Sequence, residues 1–385
     1  MLHSKTLRPA AFALLCALLL LAWQALTVRY SYGGNWTALF CTGAKYLAPP
    51  AELAPEKLYV FPNSFGYDGQ AYHYIAHDPF FRRGFAQSVD APRIRYRRIL
   101  VPLLAWLFAA GRDGAVDAAY IAVVLGFVAL GAWWLGRFGK PWLALGFALA
   151  PAVLVSIDRM TVDVALAACC VGFVLYLRER SRWKLWMVLA AASLVRETGL
   201  ALVVAMVLWL LIGRSIRDAA MFSTAALPAV AWFVFVEMHT APAGVEFFTP
   251  VPFLGFIERV LHPATVAASP AIEMLARALD FVALAGLAAA IVWAISRLLS
   301  RVLTPASIAG GLFVLLAAFL APGDLWSDTY SFARTLTPLL LLCALDGIDE
   351  GRGWPAIAML ASDPRIALQM GGQVLKVVRG LTGAG

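Results

Sequence analysis

Charged residues are scarce in this sequence: 14% of its 385 residues are Asp, Glu, Lys or Arg, against about 25% in a typical soluble domain. Hydrophobic residues make up 62% of the chain, and the mean hydropathy is +0.78. This composition excludes a soluble globular protein and a disordered one. It predicts an all-α membrane protein with many transmembrane helices.

Cysteine is equally sparse, with five residues in the whole chain. Cys16, Cys169, Cys170 and Cys343 lie inside apolar runs, and Cys41 stands alone. Their spacing fits neither a disulfide framework nor a cysteine metal site.

Long apolar runs supply the candidate membrane spans, since a bilayer needs about 20 such residues. The first run follows Lys5 and Arg8 and also fits a signal peptide, but no small-x-small cleavage site closes it, so we favour a spanning helix. The runs are 9–28, 115–136, 141–157, 164–177, 185–212, 219–237, 279–296, 303–321 and 333–347.

Four short basic segments set the expected orientation, because short loops rich in Lys and Arg stay cytoplasmic. They are 137–140, 178–184, 214–217 and 297–301. If the chain leaves and returns as a hairpin of two helices between successive basic segments, it crosses the membrane about ten times. It then forms one transmembrane domain over 1–385. Residues 29–114 become one external loop with interfacial helices, and 348–385 become a cytoplasmic tail. The net charge of +8 is then an orientation signal, and no nucleic-acid partner is expected.

Two segments qualify this topology. Residues 99–110 would reach about 18 Å as a helix, short of the roughly 30 Å core, so we interpret them as a helix at the outer leaflet. Residues 185–212 form either two short arms around the turn 196–199 or one long tilted helix. Irregular backbone at membrane depth needs surrounding protein or a water-filled cavity.

Polar residues at the helix ends collect on the expected outer side, where ionisable groups are costly and usually functional. They are Asp158, Arg159, Thr161, Asp163, Arg196, Glu197, Glu237, His239, Asp324, Asp328 and Arg334. Arg196 lies beside Glu197, but adjacent helical residues point apart. We therefore expect Arg196 to meet a phosphate or another substrate group.

The densest polar cluster is 66–79, in the external loop. Asp68 either caps a helix that begins there or carries a function. His73 and His77 have the i, i+4 spacing of some metal-binding pairs, but no HExxH pattern surrounds them. A second cluster, Arg93-Ile-Arg-Tyr-Arg-Arg98, suits lipid phosphates or a simple interfacial anchor.

These motifs resemble those of the GT-C class of membrane glycosyltransferases, which take sugars from polyprenyl-phosphate carriers. The resemblance covers roughly 9–212 and rests on segments 67–76, 98–105, 156–163 and 194–199. Those segments read YDGQAYHYIA, RILVPLLA, SIDRMTVD and LVRETG. The first loop departs from the class in having no Asp-x-Asp motif, so we assign no metal or cofactor, while a divalent metal stays open.

The resemblance implies transfer of a sugar, mannosyltransferase-like, to a lipid, glycan or protein acceptor. The expected topology puts this reaction on the outer face, and the short loops and the Ala, Leu and Arg bias indicate a bacterial inner membrane. Such transfer needs a base, cations for the leaving phosphate and a groove for the lipid. Asp68 is the implied base and Asp78 the reserve, while Arg196, Arg98 and Arg334 are phosphate ligands. The remaining implied substrate-binding residues are Gln70, Tyr72, Asp158, Asp163 and Glu197; Asp158 and Asp163 equally suit helix-end capping.

Two other classes of function fit a membrane protein of this composition. A transporter or flippase for a lipid-linked or small solute would carry midplane charges and often inverted repeats, whereas here the charges collect at one face. An acyltransferase would need a catalytic histidine, and neither His239 nor His262 lies in a recognisable motif.

Overall fold

Helices dominate the computed structural model, which describes residues 2–242, 247–264 and 269–383. The chain is 76% helical, which confirms the all-α prediction. Within the described residues, strands β1 (Thr42–Gly43) and β2 (Val60–Phe61) form one short parallel ladder, with Thr42 opposite Val60.

The described α-helices are α1 (Leu2–Ser31), α2 (Asp68–His77), α3 (Pro92–Arg97), α4 (Leu100–Phe108), α5 (Asp113–Phe138), α6 (Pro151–Arg159), α7 (Asp163–Arg178), α8 (Arg182–Val195), α9 (Leu200–Ile212), α10 (Ile216–Ser223), α11 (Leu227–His239), α12 (Leu254–Leu261), α13 (Pro270–Leu299), α14 (Pro305–Phe319), α15 (Thr329–Asp349), α16 (Trp354–Leu360), α17 (Asp363–Gln369) and α18 (Gly371–Thr382). Short 3₁₀ turns cover Trp36–Phe40, Ala51–Glu56, Phe85–Ser88, Pro141–Leu149, Glu197–Gly199 and Thr224–Ala226.

Five described helical segments are long and apolar enough to cross a membrane. A sixth arises if Pro141–Leu149 and α6, bent by 61° at their junction, count as one span. Proline at the start of α6 lacks an N–H to continue the preceding turn. The long apolar helices make the chain a membrane protein. The five segments are Leu7–Ser31, Asp113–Phe138, Ile216–His239, Pro270–Leu299 and Thr329–Asp349.

Helices α7 and α15 form the centre of the bundle. Every residue of α7 from Asp163 to Tyr176 is buried, and 89% of the residues in the most apolar stretch of α15 are buried. By contrast, α1 exposes Leu14, Leu15, Leu18 and Leu19. Such an apolar outer surface suits a lipid environment rather than water.

The four basic segments meet at one end of the bundle, as the orientation argument predicts. Helices α5, α7, α8, α13 and α15 each have one terminus at this end, which we call the basic end. Ion pairs join the segments to one another and to the end of α15: Arg137–Glu179, Arg182–Asp218, Arg178–Asp349 and Arg297–Glu350.

The helix over 185–212 is broken, so a single continuous helix is excluded. Arg196 has extended backbone angles, φ −152° and ψ 152°, which end α8 at Val195. Gly199 then lies so close to α8 that a Cβ atom there would come within 2.0 Å of the Ala192 carbonyl oxygen. As expected, α4 is also too short to span.

The carboxyl-terminal segment, expected to be a cytoplasmic tail, packs along the bundle. Arg365 contacts Asp280 at 3.1 Å, and Gln373 donates to the Tyr32 hydroxyl at 2.9 Å and to Asp158 at 2.8 Å. These partners lie towards the end opposite the basic end. The segment returns along the bundle because α16 packs on α13 and α15 and Arg365 is buried beside the Asp280 carboxylate.

Candidate functional site

The carboxylate of Asp68 lies between two arginines, at the first residue of α2. Its Oδ2 accepts a hydrogen bond from Arg334 Nη2 of α15 at 2.6 Å, and its Oδ1 lies 2.9 Å from Arg95 Nη1 of α3. The guanidinium of Arg334 also stacks over the Tyr67 ring, 4.9 Å from its centroid. Asp68 therefore joins the segment 29–114 to the central helix α15.

Asp163 extends this arrangement towards α8. It accepts from Arg334 Nη1 at 2.9 Å and forms an ion pair with Arg196. The side chains of Asp163, Arg196 and Arg334 are 3%, 6% and 6% exposed. Arg334 thus bridges two carboxylates from different helices in a place that water barely reaches.

A parallel contact chain runs through Arg98. Its Nη1 donates to the Tyr72 hydroxyl at 3.1 Å, and its Nε donates to Glu197 Oε2 at 3.1 Å. Tyr72 lies one turn after Asp68 on the same face of α2. We call the whole set of side chains the arginine network: Asp68, Tyr72, Asp90, Arg95, Arg98, Asp163, Arg196, Glu197 and Arg334.

The arginine network is balanced in charge but not in hydrogen bonds. Its four guanidiniums face four carboxylates, including Asp90, which lies 2.7 Å from Arg95. The buried Nε atoms of Arg196 and Arg334 have no hydrogen-bond partner among the described residues. Buried donors are normally satisfied, so these two N–H groups are unsatisfied donors within the described structure.

The arginines also set the protonation of Asp68. Burial favours the neutral acid, but the positive charges of Arg334, Arg95 and Arg98 outweigh it and hold the pKa of Asp68 well below its usual range. Asp68 is therefore ionised at neutral pH.

Glycine at position 69 allows this placement of α2. A Cβ atom on Gly69 would come within 2.1 Å of the Arg159 carbonyl oxygen, so a larger residue would push α2 off the turn between α6 and α7. That turn leads into Asp163. The sequence Asp68-Gly69 thus combines the charge with the close approach that brings it to its partners.

An apolar groove of about 430 Å³ adjoins the arginine network. Ile99 and Leu100 directly follow Arg98, and Leu194 precedes Arg196 by two residues. The groove is lined by Phe80, Ile99, Leu100, Leu103, Leu194, Pro228, Ala231, Trp232 and Phe235. A hydrocarbon chain could lie here with a charged head at the arginines.

Two expectations about individual charges are corrected by this geometry. Arg196 is not an unpaired charge, because Asp163 on the neighbouring helix pairs with it. Asp68 begins α2 but makes no side-chain capping hydrogen bond within the described structure, where Tyr67 is the cap residue. Its carboxylate points to Arg95 and Arg334 instead.

Gln70 and Asp78 hold parts of the segment 29–114 together. Gln70 accepts from the Gly43 N–H at 3.1 Å and donates to the Phe65 carbonyl at 3.2 Å. The Asp78 carboxylate accepts from the backbone N–H groups of Arg82, Arg83 and Phe85. Among the described ion pairs, none joins Asp78 to the arginine network.

Asp158 belongs to a separate polar cluster. It lies 2.9 Å from Arg159 Nε, accepts from Gln373 at 2.8 Å and accepts from the Tyr330 hydroxyl at 3.3 Å. It therefore ties α6, α15 and α18 together rather than entering the arginine network.

Several site residues escaped individual notice in the sequence. Arg95 was one of four arginines in a single cluster, and its partner Asp68 is 27 positions away. Glu56, Asp113 and Asp117 surround His73 and His77 in the structure. The sequence did contain a signal for Asp113 and Asp117, because they are spaced i, i+4 like His73 and His77.

Comparisons with known proteins give no further guide. No protein-family model matches the chain, and no curated protein or solved structure matches it significantly.

Proposed function

We propose that the protein is a membrane glycosyltransferase, similar to the GT-C class, that moves a sugar from a polyprenyl-phosphate donor to a lipid, glycan or protein acceptor. The observation that carries the proposal is the Asp68 carboxylate, only 15% exposed and held between arginines beside an apolar groove. This arrangement offers a base, phosphate ligands and a lipid site within one region.

The proposal places the arginine network on the outer face of a bacterial inner membrane, in a bundle of about ten spans. It is supported by the gathering of the four basic segments at the opposite end, because such segments remain cytoplasmic. The shorter helices, including α7, α8, α9 and α14, would then cross inside the bundle, where other helices cover them.

Donor binding follows from competition for the arginines. The phosphate of a polyprenyl-phosphate sugar is an anion whose oxygens suit the planar guanidinium fork. In this proposal it takes hydrogen bonds from Arg334, Arg95 and Arg196, including the unpaired Nε–H groups of Arg196 and Arg334, and displaces Asp68. The first prenyl units lie in the groove beside Ile99 and Leu100.

The same displacement prepares the base. Once its arginines turn to the phosphate, the Asp68 carboxylate loses the positive charges that depress its pKa, so it becomes a stronger proton acceptor. It takes the proton of the acceptor hydroxyl as that oxygen bonds to the sugar carbon. The sugar–phosphate bond breaks, and the guanidiniums stabilise the leaving phosphate. Direct displacement implies inversion at the sugar carbon.

The test is complementation of a deletion strain, with envelope glycans compared by mass spectrometry. Wild type restores the missing glycoform, whereas Asp68→Asn, which keeps the size of the side chain but not its basicity, does not. Asp324→Asn is the matched control, because Asp324 is exposed and outside the network. Restoration by Asp68→Asn at equal membrane abundance would refute Asp68 as the base.

The same material separates an enzyme from a transporter or flippase. Purified wild-type protein in liposomes containing polyprenyl-phosphate mannose and cell-envelope acceptor lipids should form a new glycosidic bond. Movement of the lipid or a solute across the bilayer without such a bond would favour the transporter.

A further inference from the structure

A second polar cluster lies on another face of α2. His73 and His77 point away from the arginine network towards Glu56, at the end of the 3₁₀ turn Ala51–Glu56, and Asp117, in the first turns of α5. Both histidine side chains are fully buried, whereas those of Glu56 and Asp117 are 13% and 24% exposed. Three separate segments therefore bring nitrogen and oxygen donors to one point.

The donor atoms lie close enough together to share one metal ion, and His73 Nε2 and Asp117 Oδ1 are at hydrogen-bond distance in the metal-free structure. His73 Nε2 lies 3.3 Å from His77 Nε2, 3.7 Å from Glu56 Oε2 and 2.6 Å from Asp117 Oδ1. His77 Nε2 lies 3.4 Å from Glu56 Oε1, and one donor atom from each of the four residues falls within 4.8 Å of the others. Tetrahedral ligands about 2.0–2.1 Å from a zinc ion would be about 3.3–3.4 Å apart.

Outer contacts fix the direction of both imidazoles. His77 Nδ1 is 2.9 Å from Asp113 Oδ1, so the Nδ1–H tautomer directs the lone pair of Nε2 into the cluster. Asp113 is itself held by Arg83 Nη1 at 2.7 Å. The His73 ring stacks on Phe40 with centroids 4.1 Å apart. Carboxylate-oriented histidines are typical second contacts of metal centres.

The charge of the cluster also calls for a cation. Two carboxylates face two imidazoles, and the buried oxygens of Glu56 have no hydrogen-bond donor among the described residues. A divalent ion would neutralise both carboxylates and use both lone pairs.

We propose that Glu56, His73, His77 and Asp117 bind one divalent transition-metal ion, with zinc the best fit. Two imidazole nitrogens and two carboxylate oxygens suit zinc better than magnesium or calcium, which prefer all-oxygen sites. The ion clamps the 51–56 turn and α2 onto α5, and so fixes the helix that carries Asp68. This inference goes beyond the proposed sugar transfer and does not depend on it.

The experiment uses the full chain, purified in detergent through a tag without histidine, stripped with a chelator and titrated with Zn²⁺ or Co²⁺. We expect one ion per chain, a tetrahedral Co²⁺ absorption band and a higher Tm with Zn²⁺. His73→Gln and His77→Gln should lose all three effects. His262→Gln, on an exposed residue outside the cluster, is the matched control and should retain them.

Two milder variants keep the proposal testable if a histidine variant does not fold. Glu56→Gln should abolish the Co²⁺ band, and Asp113→Asn, which removes an outer contact, should weaken the metal affinity by about 10–100-fold. A wild-type chain that binds no Zn²⁺ or Co²⁺ would overturn the proposal and leave protons as the cluster's cations. Unchanged binding in folded Glu56→Gln and His77→Gln would overturn it equally.

Discussion

The two faces of α2 have opposite electrostatic surroundings. On one face Asp68 is an anion among arginines; on the other, His73 and His77 are bases among carboxylates. The arginine face suits an anionic ligand such as a phosphate, and the histidine face suits a cation. One ten-residue helix thus takes two chemical roles, each set by the elements packed against it.

The ion pairs of the basic end and those around Arg334 differ in burial. Salt bridges at the basic end, such as Arg182–Asp218, are solvent-exposed pairs of the kind that contributes little to stability. The pairs around Arg334 are almost entirely buried, and removing one member strands the other charges. Disruption of the arginine network should therefore dominate the stability of this region.

The largest effect is expected from Arg334→Met, which leaves Asp68 and Asp163 without their shared cation. Breaking a buried pair typically costs about 3–5 kcal/mol, measured as the change in free energy of unfolding in a detergent titration. Arg182→Met is the matched control and should cost much less, because its pair with Asp218 is exposed to solvent. Equal costs for the two variants would show that the network is not the stabilising element inferred here.

The histidine face should reveal itself through pH, in metal-free protein. The pKa of His77 falls to about 4 on folding, so its contribution to the free energy of unfolding is lost as pH falls from about 6.5 towards 4. Burial raises the pKa of Glu56 to about 7, so its contribution grows as pH falls from about 7 to 4.5. In the wild type, the pH dependence of stability due to His77 therefore opposes that due to Glu56.

The variant His77→Gln removes the pH dependence of stability due to His77 and leaves that due to Glu56. The Tm of His77→Gln minus that of the wild type, measured in chelator, should therefore increase as pH falls from 7 to 4.5. A His77→Gln profile parallel to that of the wild type would contradict the assigned protonation of this face.

A smaller effect is expected in the apolar groove. Leu103→Trp fills part of the space beside Ile99 and Leu100, so the KM for a long-chain donor should rise by about tenfold, equivalent to about 1.4 kcal/mol. A short-chain analogue with the same phosphate should be unaffected. Equal changes for both donors would place the lipid elsewhere.

The sequence predicted the elements better than their partners. The apolar runs, the break at Arg196 and the helix beginning at Asp68 all follow from local pattern, and the four basic segments predicted their common end. The pairing of Arg196 with Asp163 is 33 positions apart, and that of Asp68 with Arg334 is 266 apart. Such contacts depend on helix packing, which hydropathy does not specify.

The carboxyl-terminal segment shows the same limit. Residues 348–385 mix glycine, proline and apolar residues, a composition equally suited to a tail or to a short packed return. Their place beside Asp158 and Tyr32 is decided by particular partners, such as Gln373. Nothing in the spacing of those residues connects them.

The most direct test of the arginine face is the binding of polyprenyl phosphate, measured beside sugar transfer, in wild type, Asp68→Asn and Arg334→Met. Removing the Asp68 charge frees Arg95 and Arg334, so Asp68→Asn should bind polyprenyl phosphate at least as tightly as wild type yet lose turnover by about 10²–10⁴-fold. Arg334→Met should bind it more weakly. If Asp68→Asn loses binding, or transfers sugar at the wild-type rate, Asp68 is not the base released by the donor phosphate.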